Sequence, residues 1–166
     1  MQPELKQYLE QHDIKYILHE HPAVFTCEEA DIHCKHIPGM PGKNLFLKSK
    51  DKKGRTQDHF LVIMPAVKRL NLKALQSQLE VKKLTFSKPE ELKEILGLTP
   101  GSVSPFGLIN DTEKKVKVII DKELWETEIV TFHPNVNTAS LELSKEEFHR
   151  FIESLGHNVQ VIELES

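Results

Sequence analysis

Three capping boxes mark where helices begin in this chain. In a capping box a serine or threonine is followed three residues later by a glutamate, and the two side chains satisfy free backbone N–H groups in the first helical turn. Boxes of this kind begin at Thr26, Ser87 and Ser144. The last two precede apolar residues at helical spacing, and those runs end at Gly97 and Gly156, since glycine is typical of a helix end. The boxes therefore predict three helices spread along the chain.

Apolar spacing predicts two further helices, one containing Leu5 and Leu9 and one that Asn71 opens and that continues to Leu79. Runs of alternating or β-branched residues between the helices predict strands. These runs are residues 15–19, 44–49, 59–64, 116–121, 128–133, 139–143 and 159–164.

The order of these elements predicts the class of fold. Short loops join strand 44–49 to strand 59–64 and strand 128–133 to strand 139–143, which favours antiparallel pairing in both cases. Helices and strands alternate without a regular βαβ rhythm. We therefore predict a mixed α/β (α+β) fold, with a mostly antiparallel central sheet and helices packed around it.

Composition limits the classes of protein to consider. The 166 residues fit one domain, spanning 1–166, and 39% hydrophobic with 28% charged residues is typical of a folded globular protein. The net charge of -3 gives no overall nucleic-acid signature, so any RNA contact would need a local basic patch. Apolar runs are too short to span a bilayer, and the N-terminus lacks the apolar core of a signal peptide. We expect a cytoplasmic protein that does not contact a membrane.

The histidines and cysteines do not form a recognisable metal motif. The sequences His19-Glu20-His21 and Cys34-Lys35-His36 match no structural zinc spacing. The chain also lacks a Walker loop, a GxSxG elbow and a Rossmann fingerprint. We therefore predict no metal and no cofactor.

Lys43 is the first unusual residue. Strict alternation in a strand over KNLFLKSK, residues 43–50, puts Lys43 on the face of Leu45 and Leu47, and Lys48 on the opposite face. A lysine on an apolar face either extends its ammonium to solvent or is held where a cation is needed.

Two loops carry the other candidate features. The segment LTPGSVSPFGL, residues 98–108, could present backbone N–H groups from Gly101 through Ser104 to a carbonyl group, or could simply connect two elements. The segment TFHPNVNTAS, residues 131–140, ends a strand at His133, because the residue before a proline favours extended geometry. Its histidine and two asparagines either bind a small polar group or satisfy the backbone of the turn.

A basic hairpin tip follows the strand of Lys43. It is either a solvated turn or a contact for a phosphate backbone. Its cations are Lys48, Lys50, Lys52, Lys53 and Arg55.

Three sequence features, taken together and in order, resemble the prolyl-tRNA-synthetase-associated (YbaK-type) editing domains. They are K-N-L-F-L, G-S-V-S-P-F-G-L and F-H-P-N-x-N-T-A-S. Within that superfamily the chain is most similar to the free-standing alanyl-tRNA(Pro) deacylases, from about residue 3 to the C-terminus. The N-terminal HPAVFTCEEA is similar to the opening strand-to-helix passage of the same family.

The resemblance implies hydrolysis of the ester that joins a wrong small amino acid to the terminal adenosine of tRNA(Pro). Rejecting a smaller amino acid by binding alone is worth only about 1–3 kcal/mol, so a second, size-excluding hydrolytic site is useful. The expected partner is the acceptor end of mischarged tRNA(Pro), with prolyl-tRNA synthetase as a further candidate. The attacking water would be activated with help from the ribose hydroxyl of the tRNA.

The resemblance also assigns roles by position. The catalytic set is Lys43, Gly101 and His133, and the substrate-binding set is Ser102, Val103, Ser104, Pro105, Phe106, Asn135, Asn137 and Thr138. From charge alone we add the hairpin-tip cations as tRNA-binding residues. Two alternatives stay open: a deacylase for Cys-tRNA(Pro) or another small amino acid, and a non-catalytic module of the same fold that binds tRNA or the synthetase.

Overall fold

A computed structural model describes residues 1–23 and 37–165. Its elements, in chain order, are α1 (Pro3–Gln11), β1 (Ile17–Glu20), β2 (Met40–Lys50), β3 (Thr56–Pro65), α2 (Leu72–Leu79), β4 (Lys83–Phe86), α3 (Pro89–Leu96), a 3-10 helix (Pro105–Asn110), β5 (Val116–Asp121), α4 (Lys122–Glu126), β6 (Ile129–Phe132), β7 (Ala139–Ser144), α5 (Lys145–Leu155) and β8 (Val159–Ile162).

The strands form one mixed sheet. Its order is β1-β7-β6-β2-β3-β5-β8, and β4 also pairs with β2. Four pairings are antiparallel, namely β1 with β7, β6 with β7, β2 with β3 and β2 with β4. The pairings of β2 with β6, β3 with β5 and β5 with β8 are parallel. The predicted mixed fold is confirmed, as are both predicted antiparallel pairs.

The long strand β2 has different partners along one of its edges. β6 pairs with its start, at Met40 and Pro41, and β4 pairs with its end, from Leu47 to Lys50. Between these pairings, residues 42–45 have no strand partner on this edge in the part of the chain that the structure describes, and the Phe46 carbonyl accepts a hydrogen bond from Ser87 N–H. We call this opening between β6 and β4 the fork.

Each face of the sheet has its own core. Phe46 packs with the large core that α1, α3, α5 and the 3-10 helix cover. Leu47, its neighbour, packs with a smaller core that α2 covers. The alternation predicted for this strand is therefore confirmed for its apolar residues.

Two of the predicted helix starts are confirmed. The Asn71 side chain accepts a hydrogen bond from Ala74 N–H at 3.1 Å, and the Ser144 hydroxyl accepts one from Glu147 N–H at 3.3 Å. Gly97 and Gly156 follow α3 and α5 with φ angles of 69° and 70°. These left-handed angles are favourable for glycine because it has no Cβ.

The helix predicted to begin with Ser87 begins one residue later than its box requires. The N-cap is Lys88, whose N–H donates to the Glu91 carboxylate at 3.1 Å. Ser87 continues the extended chain, because its N–H donates to the Phe46 carbonyl at 2.9 Å. The helix predicted to begin at Thr26 lies outside the described residues. Within the described residues, no helix is both long enough and apolar enough to cross a membrane.

Candidate active site

The fork lies between Lys43 and His133. β2 and β6 run parallel through the pairs Met40–Val130 and Pro41–Thr131, and their pairing then stops. Continuing the same register sets Lys43 level with His133, on the two strands that border the opening. Two of the three sequence features therefore meet at one place in the sheet.

Gly42 allows the two strands to approach at the base of the fork. A Cβ added to Gly42 would lie 2.2 Å from the Cε1 atom of the Phe132 ring, far inside van der Waals contact. The Phe132 ring also packs edge-on against Phe106, with centroids 6.3 Å apart, so it has little room to move. The residue before Lys43 must therefore be glycine.

We expect Gly42→Ala to lower the free energy of unfolding by about 1–3 kcal/mol, the usual effect of overpacking a core. Urea denaturation measures this change. A double variant with Phe132→Leu supplies the control, because the smaller side chain removes the ring atom that the new methyl group meets. The double variant should be more stable than the sum of the single effects predicts. A Gly42→Ala protein as stable as wild type would contradict the close approach.

The GSVSP loop and the turn after His133 contact each other directly. The Ser104 hydroxyl donates to Asn135 Oδ1 at 3.0 Å and accepts from Phe106 N–H at 3.0 Å, and both polar side chains are buried. Asn135 has a φ angle of 65°, a left-handed conformation that asparagine tolerates better than most residues. The GSVSP loop is thus joined to the turn that follows His133.

Gly101 lies in the tight turn that starts this loop. Ser102 N–H donates to the Thr99 carbonyl at 3.1 Å, and Gly101 has a φ angle of 92°. Proline followed by glycine at the centre of such a turn is typical of type II. The turn alone therefore explains a glycine at 101.

The next backbone N–H groups have no acceptor. In the described part of the chain, no oxygen accepts from Val103 N–H or Ser104 N–H. Ser104 is fully buried, and a buried N–H without a partner is rare. These two groups can donate to a carbonyl oxygen or an oxyanion of a bound ligand. Pro105 and Phe106, by contrast, are buried in the core and support the loop.

One ring nitrogen of His133 is held by the backbone, which fixes the tautomer of the ring. Its Nδ1 donates to the Ala139 carbonyl at 3.0 Å, since a carbonyl oxygen only accepts. Burial is the largest influence on the pKa of His133 and lowers it below its ordinary value. The charge of His21 acts in the same direction, and the hydrogen bond to the Ala139 carbonyl acts in the opposite direction. The ring is therefore neutral at physiological pH, and Nε2 is left as an acceptor.

His21 is a neighbour of the site that sequence reasoning did not identify. Its ring centroid lies 6.2 Å from that of His133, and its Nε2 lies 3.0 Å from the Ser140 hydroxyl. His21 N–H donates to the Thr138 carbonyl at 3.0 Å, which extends β1 beside β7. Among the described residues, no group of histidine, cysteine, aspartate and glutamate is arranged to hold a metal ion.

Lys43 itself is half-buried, and its ammonium has no carboxylate within ion-pair distance in the described chain. It lies opposite Met64 of β3, on the apolar face as predicted. The next residue, Asn44, is only 9% exposed, and its side-chain oxygen has no hydrogen-bond partner among the described residues. Within the described residues, the fork therefore contains an unpaired cation and an unsatisfied amide.

Lys48 does not belong with the exposed cations of the hairpin tip. It is 6% exposed, and its ammonium lies 2.6 Å from Glu91 of α3. His59 of β3 contacts the other oxygen of the same carboxylate at 2.9 Å. A buried and paired ammonium cannot reach an RNA backbone, so the structure counts against the tRNA-binding role predicted for Lys48.

The rest of the tip is an ordered turn. Asp51 accepts from the N–H groups of Lys53 and Arg55, each at 2.9 Å, and pairs with the Arg55 side chain at 2.8 Å. Lys52 and Lys53 are exposed, and Lys50 is half-buried. The charges of Lys50, Lys52 and Lys53 remain available for an anionic partner.

Comparison with known proteins gives matches over most of the chain. The family model for the aminoacyl-tRNA editing domain matches residues 21–151. The prolyl-tRNA editing protein ProX of Acetoanaerobium sticklandii is 38% identical over 157 residues, which cover 94% of this chain and 93% of that protein. The prolyl-tRNA synthetase associated domain-containing protein 1 of Xenopus laevis is 35% identical over 166 residues, covering 98% of this chain and 96% of that protein.

The fold is also found among solved structures. A crystal structure described as a candidate trans-editing enzyme for prolyl tRNA synthetase matches with a TM-score of 0.71 at 21% identity, over 100% of this chain and 99% of that one. At this identity the match supports the fold alone. The family model and the two sequence relatives each span most of the chain, and they confirm the resemblance drawn from the three sequence features. The chain therefore belongs to the family of aminoacyl-tRNA editing domains, which makes it a hydrolase of the aminoacyl-tRNA deacylase class.

Proposed function

We propose that this protein hydrolyses the ester of Ala-tRNA(Pro) in trans and so removes errors of prolyl-tRNA synthetase. The observation that carries the proposal is the fork, where continuing the register of β2 and β6 sets Lys43 level with His133, and the Lys43 ammonium has no carboxylate partner in the described chain. The name of the relative from Acetoanaerobium sticklandii, a prolyl-tRNA editing protein, supports tRNA(Pro) as the carrier. We place residues 1–166 in one editing domain that acts in the cytoplasm.

Each side of the fork receives a different part of the substrate. Lys43 binds the terminal phosphate or the ester carbonyl and stabilises the negative charge that develops during hydrolysis. The N–H groups of Val103 and Ser104, which have no acceptor among the described residues, donate to the aminoacyl carbonyl in the position that the turn at Gly101 fixes. A neutral His133 accepts from the amino group of the amino acid and does not repel its positive charge.

The remaining predicted residues frame the amino-acid pocket. Asn135 holds the loop of Ser104, and it also donates to Gln2 at 3.3 Å. Asn137 is half-buried and Thr138 is exposed at the start of the returning strand. We assign these side chains, together with Ser102, to the rim that limits the size of the bound amino acid.

No side chain at the fork is required as the general base. The ribose hydroxyl next to the ester can orient and activate the attacking water, because it is held at the reacting centre by the substrate itself. The reaction then needs no metal and no cofactor. Water adds to the ester carbonyl, the bond to the ribose oxygen breaks, and alanine leaves with its carboxylate.

Substrate choice is tested by a panel of charged tRNAs. We expect Ala-tRNA(Pro) to be hydrolysed fastest and Pro-tRNA(Pro) to be spared, because the pocket excludes the larger ring. The measurement is release of labelled amino acid with time, with spontaneous hydrolysis of each ester as the control. If Cys-tRNA(Pro) were hydrolysed far faster than Ala-tRNA(Pro), cysteine would replace alanine as the substrate. If Pro-tRNA(Pro) were hydrolysed as fast as either, the size-exclusion mechanism would be wrong.

A further inference from the structure

Phe86 is an exposed aromatic residue at the rim of the fork. It is the last residue of β4, and it pairs with Leu47 of β2, where the open stretch of that edge ends. Its exposed fraction is 57%, and in the part of the chain that the structure describes the other large exposed apolar residues are aliphatic. The exposed part of the phenyl ring contributes little to the core and is free to stack against a ligand.

Phe86 and Lys43 lie on the same face of the sheet. Side chains of paired residues share a face, so the Phe86 ring lies beside Leu47. Alternation along β2 puts Lys43 and the partly buried Leu45 on that face too. Lys43 and Leu47 are four residues apart, about 13 Å along the strand. Lys43 and Phe86 therefore lie on one face of the sheet, at the two ends of the open stretch of β2, while Leu47 itself is buried.

Cations are also close to Phe86 in the sequence. Lys82, Lys83 and Lys88 are all exposed; Lys82 and Lys88 flank β4, while alternation along β4 puts Lys83 on the face opposite Phe86. No carboxylate in the described residues pairs with any of the three. The outer edge of β4 likewise has no strand partner among those residues. An aromatic ring bordered by unpaired cations is the combination that single-stranded nucleic acid requires, with stacking for a base and positive charge for its phosphates.

We propose that Phe86 is a stacking platform for a base of the single-stranded acceptor end of tRNA. This inference rests on the proposed function, which puts the terminal ester at Lys43. The base that stacks on Phe86 then belongs to a nucleotide that precedes the terminal adenosine, and Lys82 and Lys88 contact its phosphates. The acceptor end then enters the fork from the β4 side.

The test uses uncharged RNA, so that its outcome does not depend on hydrolysis. The probe is a hairpin with the acceptor-stem sequence and its single-stranded 3′ end, carrying 2-aminopurine next to the terminal adenosine. Wild-type protein should quench the fluorophore on binding. Phe86→Ala should bind about tenfold more weakly and lose the quenching, as expected when one stacked base is lost. Phe86→Trp should retain both, and Val67→Ala, which alters a 93% exposed residue of a loop, should match wild type.

A second measurement separates this proposal from a defect in the pocket. Alanyl-adenosine contains the ester and the terminal nucleoside but no preceding base, so Phe86→Ala should hydrolyse it at the wild-type rate. Equal loss on alanyl-adenosine and on Ala-tRNA(Pro) would overturn the proposal. If wild-type protein hydrolysed neither ester, the proposed function would fail, while the quenching would still test Phe86.

Two further results would also overturn the stacking role. One is binding of the Phe86→Ala variant to the hairpin that equals wild type. The other is a loss of affinity for purified prolyl-tRNA synthetase with unchanged RNA binding, which would make Phe86 a protein contact. A blunt-ended hairpin is the matched RNA control, and Phe86→Ala should not change its binding.

Discussion

Replacing Lys43 by alanine is expected to slow hydrolysis of Ala-tRNA(Pro) by about 100- to 1000-fold, the usual effect of removing one group that stabilises transition-state charge. Lys43 is suited to this role because its half-buried ammonium has no carboxylate partner in the described chain. Its charge is therefore not neutralised before the substrate binds. Single-turnover deacylation with enzyme in excess measures the chemical step directly.

The same variant should fold normally, because no carboxylate in the described chain pairs with Lys43 and would be left buried without a partner. Thermal unfolding followed by circular dichroism checks this. Lys93→Ala is the matched control, since Lys93 is also an unpaired lysine but lies on the exposed side of α3. It should deacylate at the wild-type rate. Lys43→Arg keeps the charge but changes its shape, so we expect partial activity.

Two results would decide against this role. If Lys43→Ala hydrolysed Ala-tRNA(Pro) as fast as wild type, the ammonium would not take part in the reaction. If wild-type protein bound tRNA(Pro) but released no more amino acid than the variant, the protein would be a non-catalytic binding module of the editing fold. The second result would leave the fold and the family unchanged and would remove the proposed activity.

The parts of the structure that depend on neighbouring residues were predictable from the sequence. Asn71 and Ser144 cap helices because their side chains reach N–H groups two or three positions ahead, whatever the rest of the chain does. Antiparallel pairing of β2 with β3 follows from the short loop between them. Alternation also placed Phe46 and Leu47 on opposite faces, each against its own core.

The fork itself was not predictable in this way. It exists because β6 pairs in parallel with only two residues of β2, and parallel strands that are distant in the chain have no local signal. β4 was also missed, since KLTF is four residues long and its pairing with β2 is a tertiary contact. The close approach of Gly42 to Phe132 depends on the same pairing. Family resemblance, not periodicity, connected Lys43 with His133.

Lys48 illustrates the other limit of sequence reasoning. Its face was predicted correctly, but its surroundings were not, because the carboxylate that pairs with it belongs to Glu91, 43 residues away. A lysine beside a basic hairpin gives no local indication that its ammonium is buried. The ring of His59, which stacks on Phe46 with centroids 5.3 Å apart, completes this cluster between β2, β3 and α3.

Glu91 should therefore be important for stability, and its replacement is the second large effect that we expect. Glu91→Ala removes the partner of the buried Lys48 ammonium, of His59 and of Lys88 N–H at the start of α3. We expect the free energy of unfolding to fall by about 3 kcal/mol, the lower end for a broken buried pair, because the Glu91 side chain is 22% exposed. Urea denaturation at neutral pH measures the loss.

Acid titration gives a second readout of the same contact. Burial raises the pKa of Glu91, but hydrogen bonds from Lys48, His59 and Lys88 N–H outweigh it and lower the pKa from 4.5 to about 2. A carboxylate whose pKa is lowered in the folded state stabilises the protein at pH values above its pKa in the unfolded state. It loses that contribution as the pH falls toward its pKa in the folded state. Wild-type stability should therefore decrease between pH 4.5 and about 2 by an amount that Glu91→Ala does not show.

Glu90→Ala is the matched control for both measurements. Glu90 precedes Glu91 in the first turn of α3, is exposed and has no ion-pair partner in the described chain. Its replacement should alter stability only slightly and leave the acid transition of wild type in place. An equal loss in both variants would mean that acidic residues act on α3 through the helix dipole, not through Lys48. No loss in Glu91→Ala would contradict the prediction, because a buried Lys48 ammonium left without its partner should destabilise the fold.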